Sequence, residues 1–287
     1  MTSHKVVKMP VQECDQLTTC QECHRDPFCG WCLLENKCST KRSCSESDAP
    51  RRWQSYSDGA ACAGITRVTP ANSSLTSPVE VTLTVPNLPT APQNYTCLFG
   101  DIETSASVEG DRVICQPPAT DAVTKQPHNH TWDHVALRLT LRSSETMVSF
   151  LQTGFNFYNC SRHDSCISCT RALWGCNWCV HENKCTKKNS CDNTDTAVHV
   201  SHSCPHLEGN DKEILLPAEF QKEVYLKGAN LPEPRSGDGG YKCLVHLTTP
   251  PLRVDATRLN STSVKCKATK VTTCSITNTF KWCLLHV

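Results

Sequence analysis

The strongest constraint on the fold is a spacing of eight cysteines that occurs twice in the chain. The first set runs from Cys14 to Cys62 with gaps of x5, x2, x5, x2, x5, x5 and x17, and the second runs from Cys160 to Cys204 with gaps of x5, x2, x6, x2, x5, x5 and x12. The tetrapeptide Glu-Asn-Lys-Cys that ends at Cys38 returns unchanged in the second set. A small module is therefore duplicated, and this duplication governs how every shorter motif is interpreted.

Each cysteine window is too small to bury a self-sufficient hydrophobic core. The two windows hold 16 of the 22 cysteines, which suggests that disulfides supply the missing stability, at about 2–5 kcal/mol for each native bridge. Zinc is the alternative, because Cys20-x2-Cys23 followed by Cys29-x2-Cys32 resembles the spacing of a zinc ribbon. The five-residue loop between these two pairs is shorter than zinc sites usually have.

The pair Cys29-Gly-Trp-Cys32 also has the spacing of a redox dithiol. It has six neighbouring cysteines and no βαβ setting, and it recurs as Cys176-Asn-Trp-Cys179, so a structural role is favoured. The sequence shows neither a nucleophile elbow nor a paired-carboxylate frame. We therefore expect no catalytic, cofactor-binding or metal-binding residues and no enzymatic activity.

Five N-glycosylation sequons accompany the cysteines, and together they predict an oxidising, extracellular setting. They begin at Asn72, Asn94, Asn129, Asn159 and Asn260. The N-terminus has no signal-peptide pattern and the sequence has no apolar run of about 18 residues. We therefore expect a piece of a longer protein on the extracellular side of the plasma membrane, or a secreted one. With 29 Lys and Arg against 28 Asp and Glu, nucleic acid is not an expected partner.

From residue 63 onward, apolar and polar residues alternate with the period of β-strands. Val79 to Val85 and Val135 to Leu141 show this alternation, and further strands are predicted at Tyr95–Phe99, Arg112–Cys115 and Val148–Phe157. Short strands separated by Pro, Asn and Gly clusters predict an antiparallel sandwich. Within it, Cys97 and Cys115 lie on two predicted strands and would form a local bridge.

The strand pattern restarts after the second cysteine module. Strands are predicted at Ile214–Leu216, Glu223–Leu226, Tyr241–Leu247 and Ser263–Lys267. Cys243 and Cys266 take the places of Cys97 and Cys115, so the chain is a two-unit array of module and sandwich. Only 21 residues follow Cys266, and the tail with Cys274 and Cys283 has no counterpart in the first unit, so the second sandwich is expected to lack about two strands.

Specific motifs resemble a known receptor family. The stretch Arg25-Asp-Pro-Phe-Cys-Gly-Trp-Cys32 resembles the PSI domain of plexins, semaphorins and integrins, and Lys227-Gly-Ala-Asn-Leu231 resembles the opening strand of an IPT domain. Alternating PSI and IPT domains are the architecture of the plexin ectodomain. The class B plexins are the most similar at Val81–Pro89, Cys97–Asp101, Val108–Gly110 and Phe157–Cys160.

The resemblance implies a mainly β, multidomain fold in which two small disulfide-rich PSI domains alternate with two Ig-like IPT sandwiches, the second truncated. The implied segments are the end of a semaphorin-like propeller at 1–12, PSI domains at 13–62 and 159–205, and IPT domains at 63–158 and 206–287 with an atypical tail at 271–287. It also implies a pairing within each PSI domain, whereas Cys97–Cys115 and Cys243–Cys266 follow from the strand pattern. The implied PSI pairs are Cys14–Cys29, Cys20–Cys62, Cys23–Cys38 and Cys32–Cys44, then Cys160–Cys176, Cys166–Cys204, Cys169–Cys185 and Cys179–Cys191.

The resemblance further implies that the chain is an extracellular stalk, a rigid disulfide-stapled spacer in semaphorin signalling. In plexins the semaphorin is bound by the propeller. This chain would therefore be linked to a semaphorin only as part of a parent receptor that carries the propeller. Two other functions stay open. One is a soluble binding module or decoy that engages a plexin or semaphorin ectodomain through its IPT domains or an open sheet edge, and the other is a zinc-binding cysteine-rich protein.

Overall fold

The computed structural model describes residues 13–58, 61–89, 95–126, 132–192, 196–208, 214–217, 221–235, 240–245, 252–270 and 282–285. The predicted propeller segment 1–12 and most of the predicted tail lie outside these ranges. The chain divides into two compact units, Met1–Asn159 and Cys160–Val287. Within the described ranges no helix is long and apolar enough to cross a bilayer.

The first cysteine module is a three-stranded antiparallel sheet with one helical turn beside it. Its elements are helix α1 (Cys20–Cys23), strands β1 (Gly30–Cys32), β2 (Lys37–Ser39) and β3 (Trp53–Ser55), and 3-10 turns at Cys14–Gln16, Leu33–Glu35, Lys41–Ser43 and Tyr56–Asp58. The strand order is β2-β1-β3, so β1 lies in the centre. The Thr19 hydroxyl caps α1 by accepting the Glu22 N–H, and Asn36 adopts φ 51° to close the turn between β1 and β2.

The first sandwich is a single eight-stranded sheet folded on itself, in the order β4-β6-β9-β8-β7-β10-β11-β5. Its elements are β4 (Arg67–Thr69), β5 (Asn72–Ser74), β6 (Val81–Thr84), β7 (Tyr95–Phe99), β8 (Ile102–Glu109), β9 (Arg112–Cys115), helix α2 (Thr120–Thr124), β10 (His134–Ser143) and β11 (Ser149–Tyr158). Strand β8 pairs with β7 through its first half and with β9 through its second half. It therefore connects the two layers of the sandwich.

The inward side chains of these strands form the core, as their alternation predicts. Val81, Leu83, Leu139 and Leu141 are fully buried. The rings of Phe99, Phe155 and Phe157 pack edge to face with centroids 5.1–5.7 Å apart. Edge-to-face pairs of this kind add about 0.5–1.5 kcal/mol each beyond their buried area.

The second cysteine module repeats the first. It contains helix α3 (Cys166–Thr170) and strands β12 (Cys176–Cys179), β13 (Lys184–Lys187) and β14 (Ala197–Val198), with 3-10 turns at Cys160–Arg162 and Ser201–Ser203. The strand order β13-β12-β14 again places the Cys-x2-Cys strand in the centre. Ser165 caps α3 as Thr19 caps α1, and Asn183 at φ 48° closes the β12–β13 turn.

The second sandwich has a five-stranded sheet in the order β15-β17-β20-β19-β18 and a separate two-stranded pair, β16-β21. Its strands are β15 (His206–Leu207), β16 (Ile214–Pro217), β17 (Gln221–Ala229), β18 (Tyr241–Val245), β19 (Leu252–Asn260), β20 (Ser263–Lys270) and β21 (Trp282–Leu285). Residues 246–247 of the predicted strand Tyr241–Leu247 lie outside the described ranges. The prediction of a mainly β, multidomain fold is confirmed.

Candidate functional site: the disulfide frames and the joints to the sandwiches

Ten disulfides lie within the described residues, four in each cysteine module and one in each sandwich. They join Cys14–Cys29, Cys20–Cys62, Cys23–Cys38, Cys32–Cys44, Cys97–Cys115, Cys160–Cys176, Cys166–Cys204, Cys169–Cys185, Cys179–Cys191 and Cys243–Cys266. The eight pairs within the cysteine modules are those that the family resemblance implies, the two in the sandwiches are those that the strand pattern predicts, and the pairing remains a prediction that peptide mapping can test. Cys274 and the side chain of Cys283 are not described.

The cysteines that could hold a metal are the same ones that form these bridges. Three close groups consist of disulfide cysteines, either alone or with one carboxylate: Cys14, Cys29 and Cys38; Cys160, Cys176 and Cys185; and Cys32, Glu35 and Cys44. A fourth adds His24 to Cys20 and Cys62. Because zinc needs deprotonated thiolates as ligands, cysteines in disulfides cannot provide them.

The centre of the first module is a tight contact between a glycine and a tryptophan. Trp31 is buried in the central strand, and the neighbouring Gly30 lies under the ring of Trp53 from β3. A Cβ atom on Gly30 would come within 2.3 Å of that ring. The Trp53 ring also donates its indole N–H to the Ser39 carbonyl, 3.1 Å away. Only glycine therefore fits this position while the Trp53 ring stays in place.

The second module fills the same space with different side chains. Asn177 occupies the position of Gly30, and Ala197 pairs with Cys179 as Trp53 pairs with Cys32. With the small Ala197 in place of a tryptophan there is room for the Asn177 side chain, whose Oδ1 lies 2.8 Å from Nδ1 of His199.

The first module and the first sandwich share one hydrophobic core. Leu33 and Leu34, on the 3-10 turn that contacts β11, are 2% and 1% exposed and belong to the same buried cluster as Leu141 and Phe150 of the sandwich. The Thr146 hydroxyl, at the β10–β11 turn, donates a hydrogen bond to the Leu34 carbonyl. The joint is thus a packed interface.

Charged residues reinforce this joint. The Arg52 guanidinium, whose side chain is only 3% exposed, donates to the Glu145 carboxylate, which is 21% exposed. Neighbouring Arg51 donates to the Leu88 carbonyl at 3.3 Å and lies 3.5 Å from Asp111. A buried charge needs an opposite charge within hydrogen-bond distance, since a charge left unpaired in the interior costs several kcal/mol.

Asparagine side chains contact the end of the cysteine module in both units. Asn87 Nδ2 donates to the Ala61 carbonyl at 3.4 Å, and Asn230 Nδ2 donates to the carbonyls of His202 and Cys204 at 2.9 and 3.3 Å. Both asparagines have positive φ, 64° and 55°, a conformation that asparagine tolerates better than most residues.

The second joint is more open than the first. Arg235 lies 3.4 Å from Glu182, and its side chain is 36% exposed. Beside it, a cleft of about 740 Å³ runs between module and sandwich of this unit. Its lining includes Trp178, Val180, His181, Leu231, Pro232, Glu233 and Tyr241. The pKa of Glu182 is lowered because hydrogen bonds and the charge of Arg235 outweigh the opposing effect of burial.

Equivalent tyrosines tie each sandwich to a proline carbonyl. Tyr95 donates to Pro89 at 2.9 Å, and Tyr241 donates to Pro232 at 2.6 Å. Burial raises the pKa of Tyr95 to about 12, with the Glu145 charge adding and the Arg52 charge opposing. Burial also raises the pKa of Tyr241.

Three of the five predicted glycosylation asparagines are described. Asn72 and Asn159 are partly exposed and Asn260 is exposed, whereas Asn94 and Asn129 lie outside the described residues. The Asn260 Oδ1 accepts from the N–H and hydroxyl of Thr262 at 2.8 and 2.9 Å. Modification of all five remains a prediction.

Four family models match the chain in series. A model described as the plexin repeat (PSI) matches residues 13–63, a TIG domain model matches 69–158, the plexin A/B PSI domain model matches 166–191, and a TIG domain found in plexin matches 212–279. TIG is another name for the IPT domain. The chain contains the PSI and TIG domains of a plexin ectodomain.

Whole-chain comparisons find plexins of class A. Plexin-A4 of Mus musculus is 38% identical over 274 residues, and plexin-A2 of Homo sapiens is 36% identical over 272 residues. These matches cover 94% and 93% of this chain but 14% of each plexin. The class B resemblance inferred from the short motifs is therefore wrong. Those motifs are too short to separate plexin classes, and only alignment over the whole chain does so.

A solved structure of the plexin A4 full extracellular region matches with 38% sequence identity and a TM-score of 0.65. The match covers 91% of this chain and 26% of that one. A second structure of the same extracellular region matches with the same identity and TM-score and covers 22% of its length. The chain is thus homologous to an extracellular stretch of the plexin-A stalk, in agreement with its many disulfides.

Proposed function

We propose that this chain acts as a rigid spacer in the extracellular part of a plexin-type semaphorin receptor and performs no catalysis. The proposal rests on the hydrophobic core shared by the first cysteine module and the first sandwich. Two domains that share a buried core move as one body, because separating them exposes apolar surface at about 25 cal/mol per Å².

The polar contacts of the first joint support the same role. Arg52 with Glu145 and Thr146 with the Leu34 carbonyl cross the joint at the β10–β11 turn. Arg51 crosses it at a second point, through the Leu88 carbonyl and Asp111, so together the contacts fix the angle between the two sides. On the module side, the Cys32–Cys44 bridge lies next to both Leu33 and Arg52. In the second unit, Asn230 and Arg235 provide comparable links.

The proposed partner is a semaphorin, bound by another part of the parent receptor at the extracellular face of the plasma membrane. The proposed domain limits are 13–62, 63–158, 159–205 and 206–287. Limited proteolysis under non-reducing conditions tests these limits, since cuts between domains fall in exposed segments, and the packed joint at 62–63 should be the slowest of them to be cut.

A chimeric receptor tests the spacer function. The homologous stretch of plexin-A4 is replaced by this chain, by this chain with Glu145→Ala and Thr146→Ala, or by a Gly-Ser segment of equal length. Semaphorin binding and the cellular response are measured for each receptor. The spacer function predicts equal binding in all three, a retained response with this chain, a reduced response with the variant and the weakest response with Gly-Ser. An equal response from the Gly-Ser receptor would contradict it.

The binding-module alternative gives a different result in a simpler experiment. The purified chain is passed over immobilised semaphorin and plexin-A4 ectodomains. A spacer predicts no binding to semaphorin by the isolated chain. Saturable binding that is lost on substitution within the sandwiches would favour the binding module.

A further inference from the structure

One bridge differs from the other nine within the described residues. Cys20 and Cys62 are both partly exposed, whereas the cysteines of every other described bridge are buried. This bridge also closes the longest loop of the ten, with 42 residues of sequence separation. Access to sulfur is one of the factors that set the rate of thiol–disulfide exchange.

A histidine lies against both sulfur atoms of this bridge. His24 follows α1, four residues after Cys20, and its Nε2 lies 3.7 Å from the Cys20 sulfur while Nδ1 lies 3.9 Å from the Cys62 sulfur. An imidazole N–H next to a sulfur stabilises the thiolate that leaves when the bridge opens. Partial exposure and a donor to the leaving group thus coincide at one bridge.

The duplicated module provides the internal comparison. There the equivalent bridge, Cys166–Cys204, is buried, at 8% and 1% exposure. Thr170 occupies the position of His24, with its hydroxyl 3.6 Å from the Cys204 sulfur. A hydroxyl is a much weaker acid than a protonated imidazole, so this copy has neither the access nor the strong donor.

We propose that Cys20–Cys62 is a site of thiol–disulfide exchange, whose substrate is a dithiol reductant. A thiolate of the reductant attacks the Cys62 sulfur, the Cys20–Cys62 bond breaks, and Cys20 leaves as a thiolate that takes a proton from the imidazolium form of His24, which becomes a neutral imidazole. The second thiol of the reductant then attacks the mixed disulfide and releases Cys62 as a thiol. The bridge gains two electrons, and the dithiol becomes a cyclic disulfide.

Opening this bridge releases the end of the module that leads into the first sandwich. Cys62 adjoins Ala61, whose carbonyl accepts the Asn87 amide, and Cys20 begins α1. Amide protection in α1 and at residues 61–65 is therefore expected to fall on reduction. Cys20 is only partly buried against the edge of the shared core, whereas Leu33 and Leu34 lie inside it, so their amides are expected to lose less protection. This inference stands independently of the proposed spacer function.

The test uses the whole oxidised chain and dithiothreitol as the probe. Samples are exposed to limiting dithiothreitol, free thiols are trapped with N-ethylmaleimide at intervals, and each bridge is followed by non-reducing peptide mapping. Cys20–Cys62 should open at least about tenfold faster than Cys166–Cys204, given the dependence of exchange on access and leaving group. The untreated map also tests the ten predicted pairs.

Two variants separate the effect of histidine from that of exposure. His24→Thr introduces the residue of the second copy, and His24→Gln keeps a neutral amide donor. Both should slow opening of Cys20–Cys62 several-fold and leave Cys166–Cys204 unchanged. Equal opening of the two bridges in the unmodified chain, or an unchanged rate in a variant whose untreated map shows all ten bridges, would overturn the proposal. The first comparison needs no variant, so a folding defect cannot obscure it.

Discussion

The two cysteine modules have the same disulfide frame but stabilise their interiors differently. In the first, Trp53 covers Gly30, and the buried Gln54 lies beside it on β3. In the second, Asn177 and His199 form a hydrogen bond, and the positions of Trp53 and Gln54 are taken by Ala197 and Val198. The bridges therefore fix the fold of the module, while residues between them are free to change if they change together. The two joints differ in a similar way, because the cation of the ion pair is buried in the first joint and partly exposed in the second.

The largest effect is expected when the carboxylate of the first joint is removed. Glu145→Ala leaves the Arg52 guanidinium buried without a counter-charge, so it should destabilise the joint by about 3–5 kcal/mol. The matched change in the second unit, Glu182→Ala, leaves a partly exposed Arg235 and should cost less than about 1 kcal/mol. Native-state hydrogen exchange around Leu34 and around Pro205 measures the two effects. Equal losses would show that the joints do not differ as described.

The next effect concerns the glycine under the tryptophan. Gly30→Asn introduces the residue of the second copy against the Trp53 ring and should cost about 2–3 kcal/mol through overpacking. Adding Trp53→Ala should recover part of this loss, because the second copy combines asparagine with alanine. Hydrogen exchange at Trp31 reports the stability.

Gly175→Asn is the control for that experiment. A Cβ atom there meets no neighbour within 4 Å, so the substitution should change stability little. If the double variant were no more stable than Gly30→Asn, the paired difference between the two modules, Gly30 with Trp53 against Asn177 with Ala197, would have another cause.

A smaller gain is expected at Gln54. Its side chain is buried, and neither polar atom of its amide has a hydrogen-bond partner among the described residues. Gln54→Val copies Val198 of the second module and removes a buried unsatisfied amide, so it should stabilise the first module by about 1 kcal/mol. Slower exchange at Trp31 would show this gain, and faster exchange would mean that Gln54 has a partner in solution.

The smallest effect is the pH dependence of Tyr95, which should distinguish the first sandwich from the second. Since the pKa of Tyr95 is raised to about 12 by burial, its stabilising contribution is complete below pH 10 and is lost as the pH rises through about 12. An ultraviolet titration should show a late ionisation step near pH 12, and Tyr95→Phe should remove that step. Tyr241→Phe is the control, and it should leave the step in place. A step that survives Tyr95→Phe would assign it to another tyrosine.

The sequence predicted those strands whose inner faces are continuously apolar. Leu139 and Leu141 alternate with polar residues on β10, and both are fully buried. The alternation does not predict β8 and β19, because these strands lie largely at the surface and present few large apolar residues. Their existence depends on hydrogen bonds to neighbouring strands, which local patterning does not encode.

Sequence patterns do not predict the contacts of the first joint, for a different reason. Arg52 and Glu145 are 93 residues apart, and neither stands in a recognisable motif. The same holds for Gly30 and Trp53, whose contact depends on the register between β1 and β3. Cysteine spacing could be interpreted because a duplication repeats it, whereas these contacts are set only when the sheet forms.

The parallel pairing of β5 with β11 determines how the first sandwich responds to mechanical tension. Asn72, Ser73 and Ser74 lie opposite Asn156, Phe157 and Tyr158. A pull on the chain before β5 and after β11 acts on opposite ends of these two strands. Their hydrogen bonds are then loaded together in shear instead of being opened one after another, so the sandwich should transmit force along the chain before it yields.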